Sequence, residues 1–85
     1  MYKVVYLPEV VDEDIPKLGA REKILIRKAI EAKLQTNPVE FGKPLQYSLK
    51  GCRRLRVADF RVIFQIENNT VTIVKIGHRR EVYQC

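Results

Sequence analysis

An 85-residue chain has room for one domain with a single hydrophobic core, which excludes a two-domain architecture. A hydrophobic content of 46% with 31% charged residues is typical of a compact globular protein and excludes a disordered chain. No apolar run approaches the roughly 20 residues of a membrane helix, and the N-terminus lacks a secretory signal pattern, so we expect a cytoplasmic protein with no membrane partner. The formal net charge of +6 favours a polyanionic partner.

The N-terminal segment predicts a strand followed by a short helix. Residues 2–6 are rich in β-branched and aromatic side chains and stop before Pro8, which is typical of a strand. Residues 9–18 begin with acidic side chains, which the helix dipole favours in a first turn. Pro16 lacks a backbone donor and should end or distort this helix. Gly19 then separates it from the next helix.

Residues 21–36 predict a second, longer helix, because apolar side chains recur at helical spacing. Lys33 falls within the apolar stripe and would have to lay its stem along the apolar surface. The helix should end at Asn37-Pro38, since a residue before proline disfavours the α conformation. The stripe consists of Leu25, Ile26, Ala29, Ile30, Ala32 and Leu34. The two helices are expected to form an antiparallel pair that covers one face of a sheet.

The second half of the chain predicts a mainly antiparallel sheet of three to four strands. Residues 39–51 are expected to form a connecting loop with a short edge strand at 45–49. The hydrophobic period then changes to two, and turn signals at residues 58–59 and 68–69 predict two consecutive hairpins with two-residue loops. The fold class is therefore α+β, with one domain spanning residues 1–85.

The hairpin register places arginines on the sheet face away from the helices. Arg56 should lie directly opposite Arg61, and Arg54 opposite Ile63. Like charges opposite each other destabilise a sheet, so a fold that gathers them is expected to use them on a polyanion, with nucleic acid as the ligand. The alternative interpretation is an ordinary solvated charged face. Between residues 43 and 61, only Asp59 opposes six cationic residues: Lys43, Lys50, Arg53, Arg54, Arg56 and Arg61.

The last predicted strand extends this face. Continuing the register puts Val74 and Ile76 beside Ile63, with His78 just beyond the end of the strand. The resulting surface is partly apolar and partly cationic, so an acidic, amphipathic partner protein is expected to cover it.

The two cysteines carry no recognisable metal or disulfide pattern. Cys52 and Cys85 lie far apart and lack the spacing of zinc ligands, so both are predicted to be plain thiols. The chain also lacks a glycine-rich phosphate loop and a paired carboxylate set. We therefore expect no metal and no other cofactor.

An arginine-rich face suits the cleavage of RNA by its own ribose 2′-hydroxyl. The reaction requires removal of the hydroxyl proton, stabilisation of charge on the phosphoryl oxygens and protonation of the leaving 5′-oxygen. Arginine supplies the second service but is a poor proton shuttle. Candidates for acid and base are His78, Glu81 and Tyr83, each of which could instead be an ordinary surface, turn or tail-packing residue. Solvated or phosphate-positioning roles are expected for Lys50, Arg53, Lys75 and Arg80.

Two signatures resemble the RelE toxin family of type II toxin–antitoxin modules. They are Arg-Val-Ala-Asp-Phe-Arg-Val-Ile-Phe at 56–64 and Gly-His-Arg-Arg-Glu-Val-Tyr at 77–83, and the resemblance covers nearly the whole chain. It implies a RelE-like domain that acts as a metal-independent endoribonuclease, or mRNA interferase. Such a toxin enters the ribosomal A site beside 16S rRNA and cuts messenger RNA to a 2′,3′-cyclic phosphate. A cognate antitoxin, RelB-like or another acidic amphipathic protein, would neutralise it.

The resemblance also implies roles for individual residues. Arg61 is similar to the family's phosphate-stabilising arginine, Arg79 to its second active-site arginine, and Tyr83 to its terminal tyrosine. Arg54 and Arg56 are similar to two basic residues that are lysines in the best-known member. Arginine effectively cannot lose its proton, which leaves the base role open. The remaining candidates for the base are His78 and Glu81.

Two other functions fit the same fold. ParE toxins resemble RelE in fold but inhibit DNA gyrase and lack the nuclease residue set. The presence of Arg61, Arg79 and Tyr83 together favours the nuclease. The third alternative is an inactive remnant that acts only as a partner in operator binding.

Overall fold

A computed structural model of the chain describes residues 1–45 and 51–81. The predicted α+β class is confirmed: a strand is followed by helical segments and then by a mostly antiparallel sheet. In the described residues, no helix combines the length and apolar character that crossing a membrane requires.

The first helical segment is short and irregular. A π-type turn at Val10–Asp14 passes directly into a 3₁₀ turn at Ile15–Lys17. Pro16 lies inside the second turn, where its missing amide donor prevents a regular α-helix, so the predicted distortion is confirmed. The next helix begins directly after Gly19, which takes an extended conformation.

Helix α1 spans Ala20–Ala29 and continues as a wider, π-type turn at Ile30–Leu34. These bounds lie within two residues of the prediction. Leu25 and Ala32 are exposed, so the buried side of the helix is narrower than the predicted apolar stripe. The helix packs through a narrower seam with a spacing of four residues, formed by Ile26, Ile30 and Leu34.

A second short helix, α2, spans Pro38–Phe41, where the sequence predicted only a loop. Proline is compatible with a first helical turn, because its missing N–H would have had no intrahelical partner. The ammonium of Lys33 lies 5.7 Å from the centroid of the Phe41 ring, as expected of a lysine that lays its stem along apolar surface.

In the described ranges, the sheet has five strands in the order β1-β5-β4-β3-β2. Strand β1 runs parallel to β5, and all other neighbours are antiparallel. A two-residue strand precedes the edge strand predicted at 45–49. Residues 46–49 lie outside the described ranges, so the predicted strand stays a prediction. The strands are β1 at Lys3–Tyr6, β2 at Lys43–Pro44, β3 at Arg53–Val57, β4 at Phe60–Glu67 and β5 at Thr70–His78.

Both predicted hairpin turns are present. The strand pairings leave two-residue loops at 58–59 and 68–69. The first residue of each loop, Ala58 or Asn68, has a left-handed φ of 53° or 57°. Asparagine tolerates this conformation, whereas alanine meets a steric penalty. The β3–β4 turn is therefore formed at some conformational cost.

A β-bulge interrupts β5 at Val74. The residues on either side, Ile73 and Lys75, pair with consecutive residues of β4, which leaves Val74 without a direct partner. The extra residue reverses the alternation of side chains along the rest of β5. Ile76 consequently faces the helices and is buried in the main core, so its predicted place on the other face was wrong.

The main core lies between the helices and one face of the sheet, and Phe64 is its largest fully buried side chain. A Cβ atom at Gly42 would overlap the Phe64 ring, so glycine allows the link between α2 and β2 to approach the core closely. We call the opposite face of the sheet, away from the helices, the outer face.

A small second core lies on the outer face. Ile63 and Cys52 are buried there, with Leu45 and Val74 packed against them. These side chains therefore do not form the exposed apolar surface that the sequence predicted. Cys52 is disulfide-bonded, so the prediction of a plain thiol was wrong for this residue. Cys85 lies outside the described residues.

Candidate nucleic-acid interface

Strands β3 and β4 bring three arginines together on the outer face. Arg56 lies directly opposite Arg61, and Arg54 opposite Ile63, as predicted. The intervening residues of β3, Leu55 and Val57, are buried on the helix side, which leaves the arginines on the other side. The alternation of apolar and cationic residues thus separates the core from a charged surface.

The Arg61 guanidinium is held at the end of the hairpin by backbone oxygens. Its Nη1 donates to the carbonyl of Phe60 at 2.9 Å and to that of Ala58 at 3.2 Å. Ala58 lies in the β3–β4 turn, and Phe60 is the first residue of β4 after it. The unusual backbone at Ala58 therefore helps to orient the arginine.

Arg79 joins this group from the end of β5. Its backbone N–H donates to the carbonyl of Asp59 at 2.7 Å, and its side-chain Nε lies 4.0 Å from an Asp59 carboxylate oxygen. Gly77, two residues earlier, lies directly opposite Arg61. We refer to Arg54, Arg56, Arg61 and Arg79 as the arginine cluster.

The surroundings of Arg61 lower the pKa of its guanidinium. Partial burial lowers the pKa of its guanidinium, and the neighbouring Arg56, Arg54 and Arg79 lower it further. The Asp59 carboxylate opposes this shift and raises the pKa. An anion bound among the cluster would relieve the repulsion, because it would stabilise the charged form of every guanidinium.

His78 does not lie where the sequence predicted. It is the last residue of β5 and pairs with Phe60, whose ring it meets edge-on at 5.7 Å between centroids. Because the bulge reversed the alternation, this pair lies on the helix side of the sheet, in line with Val62 and Ile76. The His78 Nδ1 accepts a hydrogen bond from the backbone N–H of Arg80 at 3.2 Å. Its contacts are therefore structural ones at the end of β5.

Two predicted phosphate-binding residues have partners within the protein. Arg53 points to the helix side, where its Nη1 donates to the carbonyl oxygens of Gly42 at 3.0 Å and Val39 at 3.5 Å. Lys75 forms an ion pair with Asp14 at 3.1 Å. The fold thus uses both cations to join distant segments of the chain.

The remaining predicted residues lie at the C-terminal end of the chain or outside the described ranges. Arg80 and Glu81 are exposed in the turn after β5, and the Glu81 N–H donates to the carbonyl of His78 at 2.8 Å. Lys50 and Tyr83 lie outside the described residues.

A cavity of about 470 Å³ lies on the other side of the sheet, between β1 and α1. Its lining is mostly apolar and includes the Tyr6 side chain. Burial raises the pKa of the Tyr6 phenol, and the nearby Glu31 carboxylate raises it further, so the phenol is neutral at physiological pH. The cavity and the arginine cluster are separated by the sheet and form distinct sites.

Two charged residues near the arginine cluster were not among the predicted site residues. Lys43 pairs directly with Arg54 across β2 and β3, although the sequence predicted a loop at this position. Asp59 contributes the carboxylate nearest to Arg79. The sequence could have indicated Asp59, because it lies in the predicted hairpin loop beside Arg61. It could not have indicated Lys43, because the position of β2 was not predicted.

A family model described as the ParE toxin of type II toxin–antitoxin systems, parDE, matches residues 9–83. The toxin RelG of Mycobacterium tuberculosis (strain ATCC 25618 / H37Rv) is 30% identical over 73 residues, which is 84% of each chain.

Solved structures are similar over almost the same extent. A chain of the RelBE2 toxin–antitoxin complex from M. tuberculosis superposes with a TM-score of 0.83 at 28% identity, covering 92% of this chain and 98% of that one. The isolated RelE toxin of E. coli gives a TM-score of 0.74 at 17% identity, covering 92% and 84%, and shows the fold alone. The predicted resemblance is confirmed, and the chain belongs to the ParE toxin family of type II toxin–antitoxin systems, within the RelE/ParE superfamily.

Proposed function

We propose that this toxin is a metal-independent endoribonuclease that cuts messenger RNA in the ribosomal A site and so inhibits translation. The observation that carries the proposal is the convergence of Arg54, Arg56 and Arg79 around Arg61 on an open sheet face. Such a concentration of charge destabilises the free protein and is best compensated by a phosphate-rich ligand.

The proposed mechanism uses the cluster to stabilise charge on the phosphoryl oxygens. When the ribose 2′-hydroxyl attacks the adjacent phosphorus, negative charge grows on the non-bridging oxygens. Arg61 is already oriented by two carbonyl acceptors, and a guanidinium can offer further N–H donors in the same plane. Such preorganised donors stabilise a transition state because they need little rearrangement during the reaction.

Proton transfer requires groups other than the arginines. His78 lies on the helix side, so we propose that it acts indirectly, by accepting the Arg80 N–H and shaping the turn that carries Arg79. Glu81 and Tyr83 remain the candidates for direct acid and base roles, with Tyr83 outside the described residues.

The test is primer extension on a defined messenger RNA engaged on ribosomes with a chosen codon in the A site. We expect the wild-type protein to cut at that codon and Arg61→Ala to cut about 10²- to 10³-fold more slowly, as is typical when one oxyanion donor is removed. Arg27→Ala is the matched control, because Arg27 is an exposed arginine on α1, away from the cluster.

Circular dichroism would establish that both variants retain the wild-type fold. Intact messenger RNA with the wild-type protein, on and off the ribosome, would contradict the nuclease. Equal cleavage by Arg61→Ala and wild type would contradict the role of the cluster.

A second candidate function is inhibition of DNA gyrase, as in ParE toxins. The match of the ParE family model over residues 9–83 supports it. A supercoiling assay separates the two: inhibition of purified gyrase without messenger RNA cleavage would favour the gyrase inhibitor. The nuclease predicts unchanged supercoiling.

We also propose that an acidic antitoxin neutralises the protein. The supporting observations are the arginine cluster and the RelB-type antitoxins in solved complexes of relatives, such as those of M. tuberculosis and E. coli. The expected result is co-purification with the product of a neighbouring gene, weakened by salt because charges contribute to binding. The proposal would be contradicted if the purified protein is soluble on its own and does not bind that product at any salt concentration.

A further inference from the structure

The cationic surface extends beyond the arginine cluster to the edge of the sheet. Lys43 on β2 pairs directly with Arg54 on β3, so the two side chains share the outer face. Two residues further along β3, Arg56 lies opposite Arg61 of β4. Two successive cation pairs therefore cross the sheet from its β2 edge to the centre.

Ion pairs compensate cations elsewhere in the described part of the chain. Arg27 pairs with Glu31 on α1, and Lys75 pairs with Asp14. Within residues 1–45 and 51–81, no carboxylate forms a salt bridge with Lys43, Arg54, Arg56 or Arg61. Placing Lys43 directly opposite an arginine adds repulsion at a solvent-exposed edge.

The spacing of the charges points to more than one phosphate. Lys43 and Arg61 are separated by two strand spacings across the sheet and by two residues along β3. With about 4.8 Å between strands and about 3.4 Å per residue, their Cα atoms lie roughly 12 Å apart. If one phosphate binds closely at Arg61, Lys43 remains available for a second phosphate of the same RNA molecule.

We propose that Lys43 is an RNA-binding residue that holds a phosphate next to the scissile one. The cationic surface would then form a track across the outer face, with Lys43 at the β2 edge and Arg61 at the reacting phosphate. This inference rests on the proposed ribonuclease function. Lys43 positions the substrate strand and takes no part in the chemical step.

The test measures the salt dependence of RNA binding. A short, fluorescently labelled single-stranded RNA with 2′-O-methyl groups cannot be cut, because the attacking hydroxyl is blocked. Each phosphate contact contributes a slope of about −0.7 to a plot of log binding constant against log salt. We expect Lys43→Gln to make this slope shallower by about 0.7 and to weaken binding at low salt.

Lys28→Gln is the matched control, since Lys28 is an exposed lysine on α1 and its loss changes the net charge equally. It should leave the slope unchanged, and Lys43→Arg should restore it. In single-turnover cleavage on ribosomes, Lys43→Gln should raise the concentration needed for half-maximal rate and leave the maximal rate unchanged.

The outcomes separate this inference from the function on which it rests. Cleavage by the wild-type protein with identical slopes for Lys43→Gln and Lys28→Gln would overturn the role of Lys43 alone. Absence of both cleavage and salt-dependent RNA binding by the wild-type protein would overturn both proposals. Weakened binding of an acidic antitoxin without any change in RNA binding would assign Lys43 to the protein partner and overturn its role in RNA binding.

Discussion

The two faces of the sheet differ in what their side chains do: one face is buried in the main core, and the other carries exposed like charges. On the helix side, side chains such as Val62 and Phe64 are fully buried in the main core. On the outer face, Arg56 and Arg61 lie directly opposite each other, and neither forms a salt bridge with a carboxylate of the described residues. One face is organised for stability, and the other carries a repulsion that stability alone would not select. Substitutions on the two faces should therefore separate folding from function.

The largest expected effect is on the helix side. Phe64→Ala should lower the free energy of unfolding by about 4 kcal/mol, because it removes a fully buried ring and leaves a cavity. Urea unfolding followed by circular dichroism measures this loss. Arg61→Ala is the control on the outer face and should leave the unfolding midpoint unchanged or higher. Comparable destabilisation by both variants would refute the separation of the two faces.

A buried carboxylate joins the first helical segment to β5. Asp14 is 5% exposed, and its two oxygens accept hydrogen bonds from Lys75 Nζ at 3.1 Å and the Ile76 backbone N–H at 3.0 Å. Asp14→Ala should lower the free energy of unfolding by about 2 kcal/mol, because the buried backbone N–H of Ile76 would lose its acceptor. Thermal or urea unfolding measures the change.

Lys75→Ala sharpens this prediction, since the side chain of Lys75 is 49% exposed and its pair is partly screened by water. It should cost at most about 1 kcal/mol. A larger loss for Lys75→Ala than for Asp14→Ala would show that the ion pair, and not the amide, is the main stabilising contact.

The turn between β3 and β4 links the two faces at a conformational cost. Ala58→Gly should stabilise the protein by about 1 kcal/mol, because glycine adopts a φ of 53° without the steric penalty of a Cβ. The unfolding midpoint in urea measures the gain. Asn68→Gly is the matched control and should give a smaller gain, since asparagine already tolerates the left-handed region. Equal or negative effects at both positions would contradict a strained β3–β4 turn.

The smallest expected effect is on the outer face. Arg56→Gln should raise the free energy of unfolding by about 0.5 kcal/mol, because it removes a like charge opposite Arg61. The gain should shrink in 1 M salt, where the screening length falls to about 3 Å. Arg27→Gln is the control and should not stabilise, because Arg27 forms an ion pair with Glu31. A salt-independent gain for Arg56→Gln would exclude repulsion as its cause.

The sequence was most informative where structure depends on neighbours along the chain. Pro16 distorts the first helical segment, and the loops at 58–59 and 68–69 form hairpins, as predicted. The period of two in β3 and β4 correctly predicted that Arg56 opposes Arg61. These features follow from backbone chemistry and strand alternation, which a single segment specifies by itself.

The sequence failed where two distant segments meet. The bulge at Val74 moved Ile76 and His78 to the helix side, because one extra residue in a strand sends the side chains that follow it to the opposite face. The partners of Arg53 and Lys75 come from α2, the link to β2 and the first helical segment, so no spacing along β3 or β5 could reveal them.

The sequence by itself determined the α+β class, the hairpin register and the arginines of β3 and β4, because periodicity and turn chemistry are local. Within residues 1–45 and 51–81, the tertiary structure alone decided which cations form salt bridges and which do not. That choice depends on carboxylates and carbonyls brought near by folding, such as Asp14 beside Lys75, and on the edge strand that places Lys43 next to Arg54.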